Sequence, residues 1–250
     1  MRPSLRANEE TAVLDEIAKW INDNQGVVTV LIFLVTLIWD GYGVFASLRR
    51  KPKLRLELLP GPTLCTTFST GDKHQGYDVH RTAISVYLRI TNVGSAPTSV
   101  ERVSLGYHWH LNTLNLAWIR YSVFWFWLPD PVVTIEDFRV NIGDWIKIYP
   151  SLLQRTATSG EAAATYLEVG RATNGVVYFE QKESWGGCFP APRGGRTRIR
   201  VAVTDTFGTK HRKSFWIPVV ALEEAKKYNP SFGETFPTLR RHPTSTSQPK

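Results

Sequence analysis

The stretch Gly26–Trp39 reads GVVTVLIFLVTLIW without a single charge. After Asp40 the apolar character resumes as GYGVFASL and stops at Arg49. The hydrocarbon core of a bilayer takes about 20 residues of helix, and Val27–Leu48 supplies 22. Arg49, Arg50, Lys51, Lys53 and Arg55 follow at once. A buried helix of a soluble protein has no reason to end in that way, whereas a juxtamembrane basic cluster meets anionic lipid headgroups. A cleaved export signal is the competing reading, because Val44-Phe45-Ala46 fits a small-residue cleavage pattern. Such signals begin short and positive, however, and the region before this run is long and acidic. The expectation is a single-pass protein of the cell membrane with its transmembrane helix over 26–48.

The flanks set an orientation. Arg2, Arg6 and Lys19 precede the span, and five basic residues crowd the seven positions after it. The positive-inside rule then places the large C-terminal domain in the cytoplasm. Ahead of the span, residues 1–25 form an amphipathic segment in which Val13, Ile17, Trp20 and Ile21 recur at helical spacing, with Asn8 as the N-cap. Within the span, Asp40 is an ionisable residue of the kind that marks function in a membrane. Gly43 and Ser47 make a small-xxx-small pair through which two helices could approach closely. Asp40, Gly43 and Ser47 are therefore the candidate positions for assembly of a homo-oligomer through the helix. Gly41–Ala46 also fits a loose dinucleotide pattern, but it follows a hydrophobic helix rather than a strand, so no nucleotide site is read there.

From Lys53 onward the hydrophobic period changes to two. Leu54, Leu56 and Leu58 alternate with polar residues; so do Ile84, Val86, Leu88 and Ile90, then Val103, Leu105, Tyr107 and Trp109, then Ile199, Val201 and Val203. Each reads as a strand with one buried face. Turn chemistry separates them at Asn92–Pro97, Pro129–Pro131 and Pro190–Gly195. The fold class expected is mainly β, an antiparallel sandwich tethered by one N-terminal helix. The strand-to-turn Arg89-Ile90-Thr91-Asn92-Val93-Gly94 and the hairpin Val203-Thr204-Asp205-Thr206-Phe207-Gly208 resemble those of the immunoglobulin-like β-sandwiches of prokaryotic membrane-anchored proteins. That resemblance implies a binding, adhesion or assembly role and leaves the choice among them open. The β domain is expected over 49–228, closing with a short helix at Ala221–Tyr228. Residues 229–250, rich in Pro, Thr and Ser, read as a disordered tail.

Chemistry-bearing motifs are sparse. No hydrolase, metalloprotease or phosphate-loop signature occurs, so no enzyme and no cofactor are expected. His108 and His110 share a strand face, yet a zinc site needs three or four ligands and the sequence places no third beside them. Cys65 and Cys188 form no disulfide framework.

Two features point to contact surfaces instead. The stretch Leu114–Leu128, LNLAWIRYSVFWFWL, is too long for an ordinary strand. Its Trp118, Tyr121, Trp125 and Trp127 are residue types that settle at membrane interfaces. It reads either as a long core strand with a buried loop or as a lipid-touching insertion. The second feature is the last hairpin. Gly208 at the third loop position fixes a register that pairs Val203 with His211, Val201 with Lys213 and Ile199 with Phe215. Arg196, Arg198, Arg200, Lys210 and Arg212 then share the opposite face, with Trp216 beside Arg198 at cation–π range. The formal charge of +8 suits the same partner, anionic lipid headgroups, and nucleic acid is not needed to explain it. The functional expectation is a membrane-anchored binding or scaffold module that docks a protein partner at the inner face of the membrane. The alternative is an effector or sensor whose helix assembles in response to a signal on the β domain.

Overall fold

A computed structural model describes residues 16–48, 50–110, 116, 119–134, 136–153 and 164–235, with the backbone alone at 44–48 and 121–122. The chain divides into two compact units, Met1–Arg50 and Lys51–Lys250. In the first, residues 16–23 are helical, Asn24 forms a turn, and helix α1 runs over Gln25–Leu48. Its stretch Gln25–Gly43 is long and apolar enough to cross a membrane. Thr29 and Thr36 return their hydroxyls to the carbonyls of Gln25 and Ile32 one turn back, which satisfies these donors without water. The helix passes through Asp40, Gly41 and Gly43 without a break.

The second unit is mainly β. Sheet I has β3 (Tyr77–Asn92) at its centre. Strands β1 (Leu54–Leu58) and β2 (Leu64–His74) lie end to end along one edge of β3, and β9 (Ala172–Trp185) covers the other. Sheet II is centred on β4 (Thr98–Tyr107) and β11 (Arg196–Asp205). The long strand β12 (Lys210–Pro218) flanks β11, and the short strands β5 (Phe126–Leu128) and β8 (Tyr166–Leu167) flank β4. Every one of these pairings is antiparallel. A hairpin of β6 (Phe138–Ile142) and β7 (Trp145–Tyr149), the two-residue strand β10 (Pro192–Arg193) beside β11, and helix α2 (Leu222–Lys226) complete the unit.

The alternating positions read from the sequence meet between the two sheets. Ile84, Val86, Leu88 and Ile90 of β3 face Val103, Leu105 and Tyr107 of β4 and Ile199, Val201 and Val203 of β11 in one buried cluster. Tyr107 donates its hydroxyl to Gln181 inside this core. The other side of sheet I is covered too. Ala83 and Tyr87 of β3 and Val176 and Tyr178 of β9 pack against Phe138, Tyr149 and Phe232 in a second cluster.

Phe232 corrects the boundary of the tail. Asn229, Phe232 and Thr235 are buried, Asn229 donates its side-chain amide to the carbonyl of Glu136, and the Gly233 N–H donates to the Tyr178 hydroxyl. Phe232 and these hydrogen bonds dock residues 229–235, and of the tail only the part beyond Thr235 lies outside the described residues.

One edge of the sandwich is latched. The N–H of Leu54 donates to His211 Nδ1 and Lys213 Nζ donates to the carbonyl of Leu56, joining β12 to β1 across the two sheets. Beyond Pro218 the chain crosses to β2, where Val219 bridges Cys65 and Val220 donates to the Cys65 carbonyl. At the end where the unit begins, Lys51–Lys53 is hydrogen-bonded to Val93–Ser95. The opposite end carries a single π-helical turn, Ile119–Val123, leading into β5.

Candidate functional site

Because β11 buries its odd-numbered residues from Ile199 to Val203, its even-numbered ones line the outer face of sheet II. The register across β12, β11 and β4 sets the rows of that face. Trp216 stands opposite Arg198, Ser214 opposite Arg200 and Gly106, Arg212 opposite Ala202 and Ser104, and Lys210 opposite Thr204 and Arg102. The hairpin register expected from Gly208 is the one present: Ile199 pairs with Phe215, Val201 with Lys213 and Val203 with His211. Gly208 has φ of +76°, the left-handed conformation its place in the loop demands. Ile199, Val201, Val203 and Ile217 are buried and Phe215 packs against the core edge. Arg196, Arg198, Arg200, Lys210 and Arg212 are thereby gathered on the outer face.

Aromatic rings are laid among these cations. The guanidinium of Arg200 lies 4.4 Å from the centroid of the Trp125 ring and that of Arg198 lies 5.5 Å from it. His108 packs tilted against the same indole, with centroids 4.0 Å apart and the ring planes at 42°. The described cation–π partner of Arg198 is thus Trp125; Trp216 stands beside Arg198 in register. Trp127 pairs with Gly106, and a Cβ on Gly106 would come within 3.1 Å of the indole. Glycine there lets the ring lie flat on the sheet. Arg200 Nε also donates to Ser214 Oγ at 3.2 Å, which fixes its direction over Trp125.

Two clefts flank the Trp125–Arg200 stack. One, of about 530 Å³, is bordered by Trp216, Arg198, Arg193, His108, His110 and Val123. The other, of about 410 Å³, is bordered by Arg102, Arg212, Lys210, Trp127 and also Glu101. Both lie within the size range of small-ligand sites. Among the described residues no acidic side chain forms an ion pair with Arg196, Arg198, Arg200, Lys210 or Arg212. Arg102 meets Asp130 only at 3.8 Å, with both side chains exposed. Cations gathered on one sheet face in excess of acidic neighbours repel one another and gain by meeting an anion.

The remaining candidate residues fall elsewhere. Of the stretch Leu114–Leu128, residues 114, 115, 117 and 118 lie outside the described residues; from Ile119 it is a π-helical turn, then three residues of β5, not a long core strand. Trp125 and Trp127 are half-buried on the outer face of sheet II, while Leu116 (85%), Ile119 (54%), Val123 (58%) and Phe124 (62%) are exposed. Trp118 lies outside the described residues, and Tyr121 belongs to the π-helical turn. Of the juxtamembrane cluster, Arg49 lies outside the described residues, Arg50, Lys51 and Lys53 are exposed, and Arg55 pairs with Glu57 at 2.9 Å. Asp40 and Gly43 are exposed along α1, and with Ser47 they fall at i, i+3 and i+7, one face of a helix.

Arg102, Arg193 and His108 join the cationic face without having been expected there. Arg102 and His108 alternate with the apolar residues of β4, so their outward direction was legible. Their neighbours were not, because that requires the β4–β11 pairing. Among the described residues no group of three His, Cys, Asp or Glu side chains could hold a metal ion. Neither the family models nor the curated proteins compared with the chain give a match.

Proposed function

We propose that this chain is a single-pass membrane-anchored binding module, at the inner face of the membrane, whose β domain captures an anionic partner on the outer face of sheet II. The carrying observation is the assembly of Arg196, Arg198, Arg200, Lys210 and Arg212 on one sheet face, without acidic ion-pair partners among the described residues and with Trp125 held under two of the guanidiniums. The apolar helix α1 supports anchoring, and the basic run after it supports the inner face through the positive-inside rule. The two-sheet core agrees with the resemblance to immunoglobulin-like sandwiches, which rests on two turns. A protein partner with an acidic surface and an anionic lipid headgroup both offer the chemistry this face takes.

The test uses the full chain in nanodiscs of neutral lipid, with soluble polyphosphate as the anion. Wild type binds, and binding weakens steeply with salt because the contacts are ionic. Arg198→Glu with Arg200→Glu reverses two charges and lowers affinity by roughly tenfold or more. Equal affinity in the two proteins would remove the proposal.

A second reading is favoured by one observation, the unbroken course of α1 through Asp40. That continuity keeps Asp40, Gly43 and Ser47 on one face, as an effector or sensor assembling through its helix would need.

A further inference from the structure

The turn before β5 places several exposed apolar residues together at the border of the cationic face. Ile119, Val123 and Phe124 show more than half of their surface, six residues or fewer before Trp125. Exposed apolar clusters next to a polar rim mark surfaces that meet another apolar phase. Val123 also borders the cleft that holds Arg193, Arg198 and Trp216. The apolar turn and the cationic face are therefore one continuous surface: apolar residues, an indole at the boundary, then guanidiniums.

That sequence of chemistries matches the cross-section of one leaflet of an anionic bilayer. Acyl chains receive Ile119 and Phe124, the headgroup level receives indole rings, and lipid phosphates receive guanidiniums, which bind them with directed hydrogen bonds. We infer that the anionic partner is a lipid surface, bound in the cleft by its phosphates and at the turn by its acyl boundary. This rests on the anion-binding reading above and names its ligand. A lipid surface meets the arginines and the three apolar side chains together, whereas an acidic protein surface without an apolar patch would leave those side chains in water. The turn also lies at the end of the β unit opposite Lys51–Lys53, about 30 Å away along the ten residues of β4. Contact there is accordingly a second membrane attachment of the chain, separate from the basic run that follows α1.

The full chain in phosphatidylcholine nanodiscs is mixed with vesicles, and capture is read by flotation. Three proteins are compared, the wild type, Ile119→Ser with Phe124→Ser, and Phe124→Trp, with polyphosphate binding measured in parallel. The wild type is expected to capture vesicles rich in phosphatidylserine and not those of phosphatidylcholine alone. The double serine variant is expected to lose capture by about tenfold or more while binding polyphosphate as before. Phe124→Trp is expected to capture at least as well as the wild type. If wild type binds polyphosphate but captures no anionic vesicle, or if the serine variant captures equally well, the lipid assignment falls and the anion-binding reading stands. If wild type binds neither, both fall. Should the serine variant lose polyphosphate binding too, Phe124→Trp decides: undiminished capture sustains the assignment and weakened capture overturns it.

Discussion

Asp205→Asn removes one charge from a fully buried carboxylate that organises the last hairpin. Asp205 Oδ1 accepts the N–H of Phe207 at 3.0 Å and of Thr209 at 2.9 Å, and Oδ2 faces His211 Nε2 at 2.9 Å. Because the Leu54 N–H donates to His211 Nδ1, the ring proton sits on Nε2 and points at the carboxylate. An amide has one acceptor where the carboxylate has two. Turned either way, it sets its NH2 against a donor and forfeits one or two of three bonds. Hydrogen bonds to a charged group contribute about 1.5–3 kcal/mol each, so the variant loses roughly 2–4 kcal/mol. For a domain of this size that lowers the melting temperature by about 4–16 °C. Thermal unfolding of the full chain in detergent, followed by near-ultraviolet circular dichroism, measures it. His211→Ala removes one of the same bonds together with the tie to β1, so a double-mutant cycle should show coupling of about 1 kcal/mol or more. Melting within about 2 °C of the wild type, or strictly additive losses, would refute the reasoning.

Further outcomes test other parts of the account. A Cβ at Gly94 would lie 2.3 Å from the Lys53 nitrogen and 2.6 Å from the Lys51 carbonyl oxygen. Gly94→Ala should thus cost about 1–3 kcal/mol and expose the Lys51–Lys53 segment to trypsin, with an unchanged digestion pattern counting against it. Burial holds the Glu180 carboxyl above its ordinary value of 4.5, against the pull of Arg81. The folded protein then binds this proton more tightly than the unfolded chain, and stability falls as pH rises from about 4.5 through the raised value. Glu180→Gln removes that slope, so its advantage should be absent in acid and grow toward neutral pH; parallel curves would contradict it. Burial pushes the Cys65 thiol up to about 12, leaving it protonated and unreactive at neutral pH. With Cys188→Ser, a cysteine in place of exposed Phe207 therefore reports orientation, and an impermeant thiol reagent should reach it only after cells are permeabilised.

The parts of the fold legible in the sequence are those whose two faces differ in polarity. The strands bearing Leu54–Leu58, Val103–Tyr107 and Ile199–Val203 alternate because one side meets the core and the other is largely polar. Ile84–Ile90 alternates although β3 is covered on both sides, because its second face carries Ser85, Tyr87 and Arg89. Strand β9 escapes that reading. Val177 and Phe179 enter the main core while Val176, Tyr178 and Glu180 are buried under the β6–β7 hairpin and the C-terminal segment. A strand with apolar residues on both buried sides has no period to find. The cationic hairpin was readable because Gly208 fixes a local register. Trp125 was not, since a residue more than 70 positions before Arg200 joins it only through the non-local β4–β5 and β4–β11 pairings. The docking of residues 229–235 rests on Phe232 and on the hydrogen bonds of Asn229 and Gly233, signals too small for composition to carry.

The most direct measurement of the central claim is lysine footprinting of the full chain by an acylating reagent, with and without polyphosphate. Lys210 stands on the outer face of sheet II, and Lys147 is exposed on β7. Protection of Lys210 that fades with added salt, beside an unchanged Lys147, is the predicted result. Equal protection at both positions, or none at Lys210, would contradict an anion site on that face.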